Sequence, residues 1–270
     1  MSLSTPIKNQ FKSVLNVYHQ SLWNPQLSGE LDFIDRTVST FQNVRISAGG
    51  QILKTRSKRI HLTPKVKFVI SRLPSPKAVT KELADLLLTY KHFNNRVLQA
   101  YRAVLVQSKY TSRKSKSWKI DSEQFHLMTR WPKFRIVSPA KFAKSFLIKP
   151  QALTWSTYGF VGAKAVRYPV YYSSNRILRM KRLIPSSSSF SFNLQTPIGW
   201  DSSTSFLLKF VQGFVGENLR GNSTVKDLVD ALYIIAKIKP DPPDELEWKR
   251  ENEERGGFGV VEFAVSTEEG

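Results

Sequence analysis

The chain contains no cysteine. That absence removes disulfides, thiolate zinc sites and thiol nucleophiles together. It leaves the compartment open, because a chain without thiols is safe in oxidising and reducing surroundings alike. No run of about 18 apolar residues occurs, so no transmembrane helix is expected. No short apolar segment follows a basic N-terminus, so no secretory signal is expected, and an intracellular setting, in an organelle or a virion, fits better. Acids are scarce at the start: the first is Glu30, and only Lys8 and Lys12 precede it as cations. Acid-poor leaders suit organellar transit peptides, but those are arginine-rich and this stretch has no arginine, which favours an ordinary amphipathic first helix.

Catalytic signatures are missing as well. There is no phosphate loop, no His-Glu-x-x-His, no Gly-x-Ser-x-Gly and no dinucleotide fingerprint. The four histidines, His19, His61, His92 and His126, show no ligand spacing. Neither a cofactor nor an enzymatic activity is expected.

What the chain does have is positive charge. Its 270 residues are 41% hydrophobic, a globular composition, and carry a net charge of +20. The charge is uneven: residues 241–270 hold ten acids against Lys249, Arg250 and Arg255, so the first 240 residues carry +27. Such a basic body attracts polyanions over long range and in a salt-dependent way. RNA, single-stranded DNA and anionic lipid are the candidate partners.

The excess peaks between Lys109 and Arg182, where 17 cations stand against two acids, Asp121 and Glu123. Thirteen rings, from Tyr110 to Tyr172, are woven between them. A surface built only for solubility mixes both signs of charge. One-sign charge alternating with rings suits an unpaired strand, with cations for phosphates and rings for bases. At least half of the rings are nevertheless expected in the core. Residues 109–119 are polar, basic and aperiodic, which predicts a mobile loop. Arg113, Lys114, Lys116 and Lys119 are its candidate phosphate contacts, and Trp118 its candidate stacking ring. Arg176, Arg179, Lys181 and Arg182 form a second cationic cluster.

The hydrophobic pattern predicts an α+β fold of mixed helices and short antiparallel strands, with a partly disordered acidic C-terminal tail. A basic body spans 1–185, a helical part 186–239 and the tail 240–270. Ile7, Phe11, Val14, Leu15, Tyr18 and Leu22 predict a helix over 5–22. Residues 32–41 read as a short helix or strand, and 44–54 as a hairpin around Gly49-Gly50. Lys65 to Ile70 alternates like a strand with outward lysines able to join a nucleic-acid face. The apolar stripe of residues 77–108 predicts the strongest helix of the chain, with a kink or turn at Asn94-Asn95. Strands are predicted at 134–137, 166–172 and 260–265, and helices at 139–148, 203–215 and 224–237.

Three local similarities stand apart from this pattern. Gly256 to Phe263 is similar to the aromatic strand of RNA-recognition motifs, with Gly256 where that family has Lys or Arg. The resemblance implies base-stacking rings at Tyr233, Phe258 and Phe263, but the chain ends too soon after Phe263 for the family's remaining elements. Asp241, Glu247 and Lys249 resemble the carboxylate–carboxylate–lysine set of metal-dependent nucleases, although an acidic solvated tail is the simpler account. Gly213-Phe214-Val215-Gly216 resembles the Gly-x-x-Gly clamp of one RNA-binding fold, and a helix terminator is its default explanation.

The expectation is a non-enzymatic nucleic-acid-binding protein, favouring single-stranded or structured RNA, in a ribonucleoprotein of an organelle or a virus. One alternative is a matrix-type structural protein that binds anionic membrane and self-associates. The other is a Mg-dependent nucleic-acid-processing enzyme. The acidic tail would compete for the basic surface or recruit a basic partner.

Overall fold

A computed structural model describes residues 3–23, 27–60, 63–71, 75–112, 116–162, 169–181, 187–193, 201–238 and 257–267. The class is α+β, as the pattern predicts. Helix α1 (Thr5–Trp23) buries Ile7, Phe11, Leu15, Tyr18 and Leu22 along one stripe. Helix α2 (Glu30–Thr40) follows. Strands β1 (Arg45–Ala48) and β2 (Gln51–Ile60) form the expected hairpin. Its turn needs positive φ at two successive residues, and Gly49 and Gly50 supply +59° and +69°.

Strands β3 (Lys65–Ile70) and β4 (Lys77–Glu82) come next, then β5 (Leu86–Asn94) and β6 (Val97–Thr111). The helix predicted over residues 77–108 is therefore corrected to strands. Leu86 to Phe93 are all buried, because elements cover both faces of β5. A strand buried on both sides is apolar at nearly every position, and a helical stripe can be picked out of such a run. The turn signal at Asn94-Asn95 is the informative one: Asn95 and Arg96 take φ of 49° and 61° and close the β5–β6 hairpin.

Strand β7 (Ser117–Asp121) runs into α3 (Ser122–Arg130), which Asp121 caps by accepting from the Gln124 amide at 2.8 Å. Strand β8 (Phe134–Ser138) is followed by one 3₁₀ turn (Ala140–Phe142) and the two-residue β9 (Ser145–Phe146), where a helix over 139–148 was expected. Strands β10 (Ser156–Gly162) and β11 (Val170–Ser173) lead to α4 (Ser174–Lys181) and β12 (Ser189–Asn193). Then come β13 (Asp201–Ser202), α5 (Ser203–Val211), β14 (Glu217–Asn218), α6 (Ser223–Ile235) and β15 (Phe258–Thr267).

Nine strands form one sheet in the order β1-β2-β15-β5-β6-β10-β11-β13, with β14 also on β6. The pairs β15–β5 and β10–β6 are parallel and the others antiparallel. One face packs on α1, α2 and α5 through residues such as Phe11, Phe33, Phe210 and Phe263. The other packs on α6 and on a small sheet, β4-β3-β8-β9, through Leu87, Phe68, Phe134 and Leu232. A third core, containing Trp118, Phe125, Tyr158, Phe160 and Phe192, joins the β7–β12 pair and α3 to β10 and β11. Helices α5 and α6 thus cover opposite faces of the main sheet, to which strands from both the first 185 residues and the later chain contribute.

The last strand has a different place from the one expected. Instead of ending an acidic tail, β15 lies between β2 and β5 in the middle of the main sheet. Glu262, one of the acids counted in the tail, is 2% exposed. Its Oε1 accepts from Arg56 Nε at 2.7 Å, and its Oε2 meets Lys91 Nζ at 2.7 Å and the Tyr233 hydroxyl at 2.6 Å. Burial alone would push this carboxyl up; Lys91 and Arg56 outweigh it and hold the group below the usual carboxylate range. The rest of the tail, residues 239–256 and 268–270, with Asp241, Glu247 and Lys249, lies outside the described residues.

Asp85, at the entry to β5, is buried differently. Its Oδ2 accepts from Gln107 Nε2, Ser108 N and Ser108 Oγ, and its carbonyl accepts from Gly259 N of β15. Burial pushes its carboxyl up from 3.8 to about 6. A raised folded-state pKa gives stability that is complete below the unfolded value and lost as pH rises through the folded one.

Two outcomes follow. Glu262→Gln removes the carboxylate that faces the buried cations Arg56 and Lys91, and urea unfolding at pH 7 will show a loss of about 3–5 kcal/mol. Asp85→Asn will gain stability relative to wild type between pH 4 and pH 7; a difference that stays flat across that range would mean that the carboxyl ionises normally.

Candidate nucleic-acid interface

The small sheet presents alternate residues to solvent. On β3, Val66, Phe68 and Ile70 point into the core, where Phe68 stacks on the His126 ring at 6.4 Å. Lys65, Lys67 and Val69 face outward. On β8 the same alternation buries Phe134 and Ile136 and exposes Arg135. The register then aligns Thr80, Lys67, Arg135 and Ser145 in one row across the four strands. Lys67 and Arg135 are direct cross-strand neighbours, at the spacing where like charges destabilise a sheet. Among the described residues of this face, Glu82 beside Lys65 is the single acid.

The acids nearby are engaged elsewhere. On the opposite side of β4, Lys77 Nζ meets Glu123 Oε1 at 2.7 Å, and Lys81 Nζ meets Asp121 Oδ2 at 2.7 Å and Glu123 Oε2 at 3.0 Å. The hydrogen bond from Lys77 leads in holding the Glu123 carboxyl below its usual range. Both acids of the 109–182 stretch are therefore matched by cations from outside it. Within the stretch, Lys109 reaches Glu30 at 3.4 Å. Lys116, Lys119, Arg130, Lys133, Arg135, Lys149 and Arg179 form no ion pair with any described residue.

A second basic surface lies on the β7–β12 pair. Lys116 and Lys119 are exposed at or beside β7, and Lys119 stands opposite Ser191 of β12. Arg176, Arg179 and Lys181 are exposed on α4. The Lys181 ammonium sits 5.7 Å from the half-buried Phe190 ring of β12, which pairs with buried Ile120, while Lys119 and Ser191 occupy the other side of the ribbon. A shallow cavity of about 380 Å³ opens there, lined by Tyr110, Ser117, Lys119, Phe190 and Ser191. Arg113, Lys114 and Arg182 lie outside the described residues.

The stacking role expected of Trp118 is corrected. Its side chain is 1% exposed, its indole N–H donates to the Val161 carbonyl at 2.8 Å, and its ring packs on Phe160. The same holds for most of the ring inventory. Of the thirteen rings from Tyr110 to Tyr172, ten are buried, Tyr110 and Phe142 are half-buried, and Tyr168 is outside the described residues. Three separate cores need bulky side chains, and these rings fill them. Tyr233, Phe258 and Phe263 are buried too, with Tyr233 in a helix, so the similarity to an RNA-recognition strand supplies no exposed stacking platform.

No family model matches the chain, and no curated protein or solved structure does. Function rests on the molecule's own charges and shapes. The outward lysines of β3 were legible in the Lys-Val-Lys-Phe alternation. Arg135 as their partner was not, because that contact comes from a pairing some 70 residues distant in sequence. If the Lys67–Arg135 repulsion is as the register implies, Arg135→Thr will raise stability by about 0.2–1 kcal/mol at low salt, with the gain fading at high salt, as read by urea unfolding.

Proposed function

We propose that the protein binds nucleic acid, single-stranded or structured RNA in preference to duplex, as a non-enzymatic component of a ribonucleoprotein. The observation that carries this reading is the Lys67–Arg135 pair: two cations side by side on a solvent-facing sheet, with Asp121 and Glu123 engaged on β4's other side. Like charges in that position lower stability unless an anion lies across them. A row of phosphates is such an anion, and each contact releases a counterion. The β7–β12 ribbon with Lys116, Lys119 and Lys181 adds a further basic surface. Attraction to phosphate supplies the affinity, and stacking is confined to a few partly exposed rings. No described helix carries the compact set of base-reading side chains that a groove reader needs.

An anionic membrane would use the same cations, so the decisive measurement sets a labelled single-stranded oligonucleotide against acidic liposomes at several salt concentrations. Lys67→Glu with Arg135→Glu removes two phosphate contacts. It will lower the slope of log affinity against log salt by about 1.4, at roughly 0.7 per contact on a single strand. An unchanged slope, or a preference for liposomes, would overturn the proposal.

A further inference from the structure

Away from the basic sheet, the tip of the β5–β6 hairpin and the C-terminal turn of α5 enclose a cleft of about 640 Å³. That volume lies within the range of small-molecule sites. Three features give it a chemical character. The first is a ring. Helix α5 ends in a turn where Gly213 N–H donates to the Phe210 carbonyl and Phe214 N–H to the Lys209 carbonyl, both at 2.9 Å. Gly213 takes φ of 77°, which ends the helix. Such turns commonly tuck the next side chain against the helix; here Phe214 is 71% exposed, the most exposed large apolar side chain among the described residues, and it lines the cleft.

The second feature is a cation. Arg102 projects from β6 beside Tyr90, and its Nη1 donates to the Gly216 carbonyl at 2.9 Å. That bond orients a guanidinium along the cleft wall, with further N–H donors in the fork geometry that matches phosphate oxygens. The third is an unsatisfied polar atom. His92 is 4% exposed, lines the cleft, and its Nε2 has no hydrogen-bond partner among the described residues. Burial holds this ring below its usual pKa, so it is neutral near pH 7. A buried polar atom left unpaired costs free energy, which a ligand recovers only if the ring turns toward the cleft. Asn94, Gln99 and Gln212 add amides, which both donate and accept, and among the described residues no carboxylate lines the cleft.

We propose that this cleft is a nucleotide site. Its heterocycle stacks on Phe214, its edge meets the amides, and its phosphate lies on Arg102. The ligand is either a free nucleoside monophosphate or one unpaired unit of a bound strand; the second form rests on the nucleic-acid reading above. The length of β6 between Arg102 and Lys109 is roughly 23 Å, so the cleft and the β7–β12 ribbon are separate surfaces that can be disabled separately.

The test uses the full chain, with AMP, UMP and inorganic phosphate titrated by calorimetry and a labelled oligouridine titrated in parallel. Variants are Phe214→Ala, Arg102→Lys and the Lys67→Glu/Arg135→Glu pair, with folding of each checked by circular dichroism. The proposal expects a nucleoside monophosphate to bind more tightly than phosphate alone, and Phe214→Ala to weaken it about tenfold, in line with the loss of one stacked base. Because the Phe214 side chain is exposed, that variant keeps the test valid even if Arg102→Lys fails to fold. Oligouridine binding that responds to Lys67→Glu/Arg135→Glu but not to Phe214→Ala, with no monophosphate bound, overturns the cleft and leaves the basic face intact. Monophosphate binding lost in Phe214→Ala, with no oligouridine bound by wild type, supports a free-nucleotide site and overturns the nucleic-acid reading instead.

Discussion

Glu262 holds the sheet together at its centre. It sits on β15, and the cations it meets come from the strands on either side, Arg56 from β2 and Lys91 from β5. Tyr233 of α6 completes the set, and its hydroxyl also lies 2.6 Å from Thr89 of β5. One carboxylate thus links three adjacent strands and the helix that covers them. It also fixes register. On β15, Val261, Phe263 and Val265 face α1, α2 and α5, while Val260 and Glu262 face α6. A slip of one residue would set the carboxylate among the apolar side chains of the first helices and turn Phe263 toward Arg56 and Lys91.

This arrangement also accounts for where the molecule's charge appears. With 41 cations and 21 acids, the chain cannot pair every cation. Acids are placed where strands must be held together: Glu262 inside the main sheet, Asp121 and Glu123 where β4 abuts α3, Glu30 beside Lys109. Many of the cations left over stand on solvent-facing strands and on α4. Surface basicity is in that sense a remainder of structural pairing as well as a feature suited to a polyanionic ligand. The closeness of Lys67 to Arg135 is the part that structural pairing does not require.

Where a segment has one buried face, its pattern in the sequence carried over into structure. Helix α1, the β1–β2 hairpin, β3, β8, α5 and α6 are each amphipathic or bounded by a turn signal, and each is found close to its expected place. Residues 77–108 defeated the pattern because burial on both faces erases the alternation that distinguishes a strand. The rings were ambiguous for a related reason. Trp118 in a basic stretch looks available to a base, yet every second residue of β7 points inward, and Trp118 and Ile120 take those positions. The cationic clusters on β7 and α4 were visible, but the contact of Lys181 with Phe190 depends on the fold that brings α4 to the β7–β12 pair. The nucleotide cleft was beyond reach for the same cause. His92, Arg102 and Phe214 have no common motif, and only the hairpin and the α5 turn bring them together.

The position of β15 has a consequence for biosynthesis. Strands β2 and β5 leave the ribosome long before their shared neighbour, and neither can complete its ladder until residue 267 has emerged. For that interval two long strands offer open backbone edges. The parallel β5–β15 pairing joins segments separated by more than 170 residues, a closure that slows folding. Those two edges therefore close only once translation has passed β15.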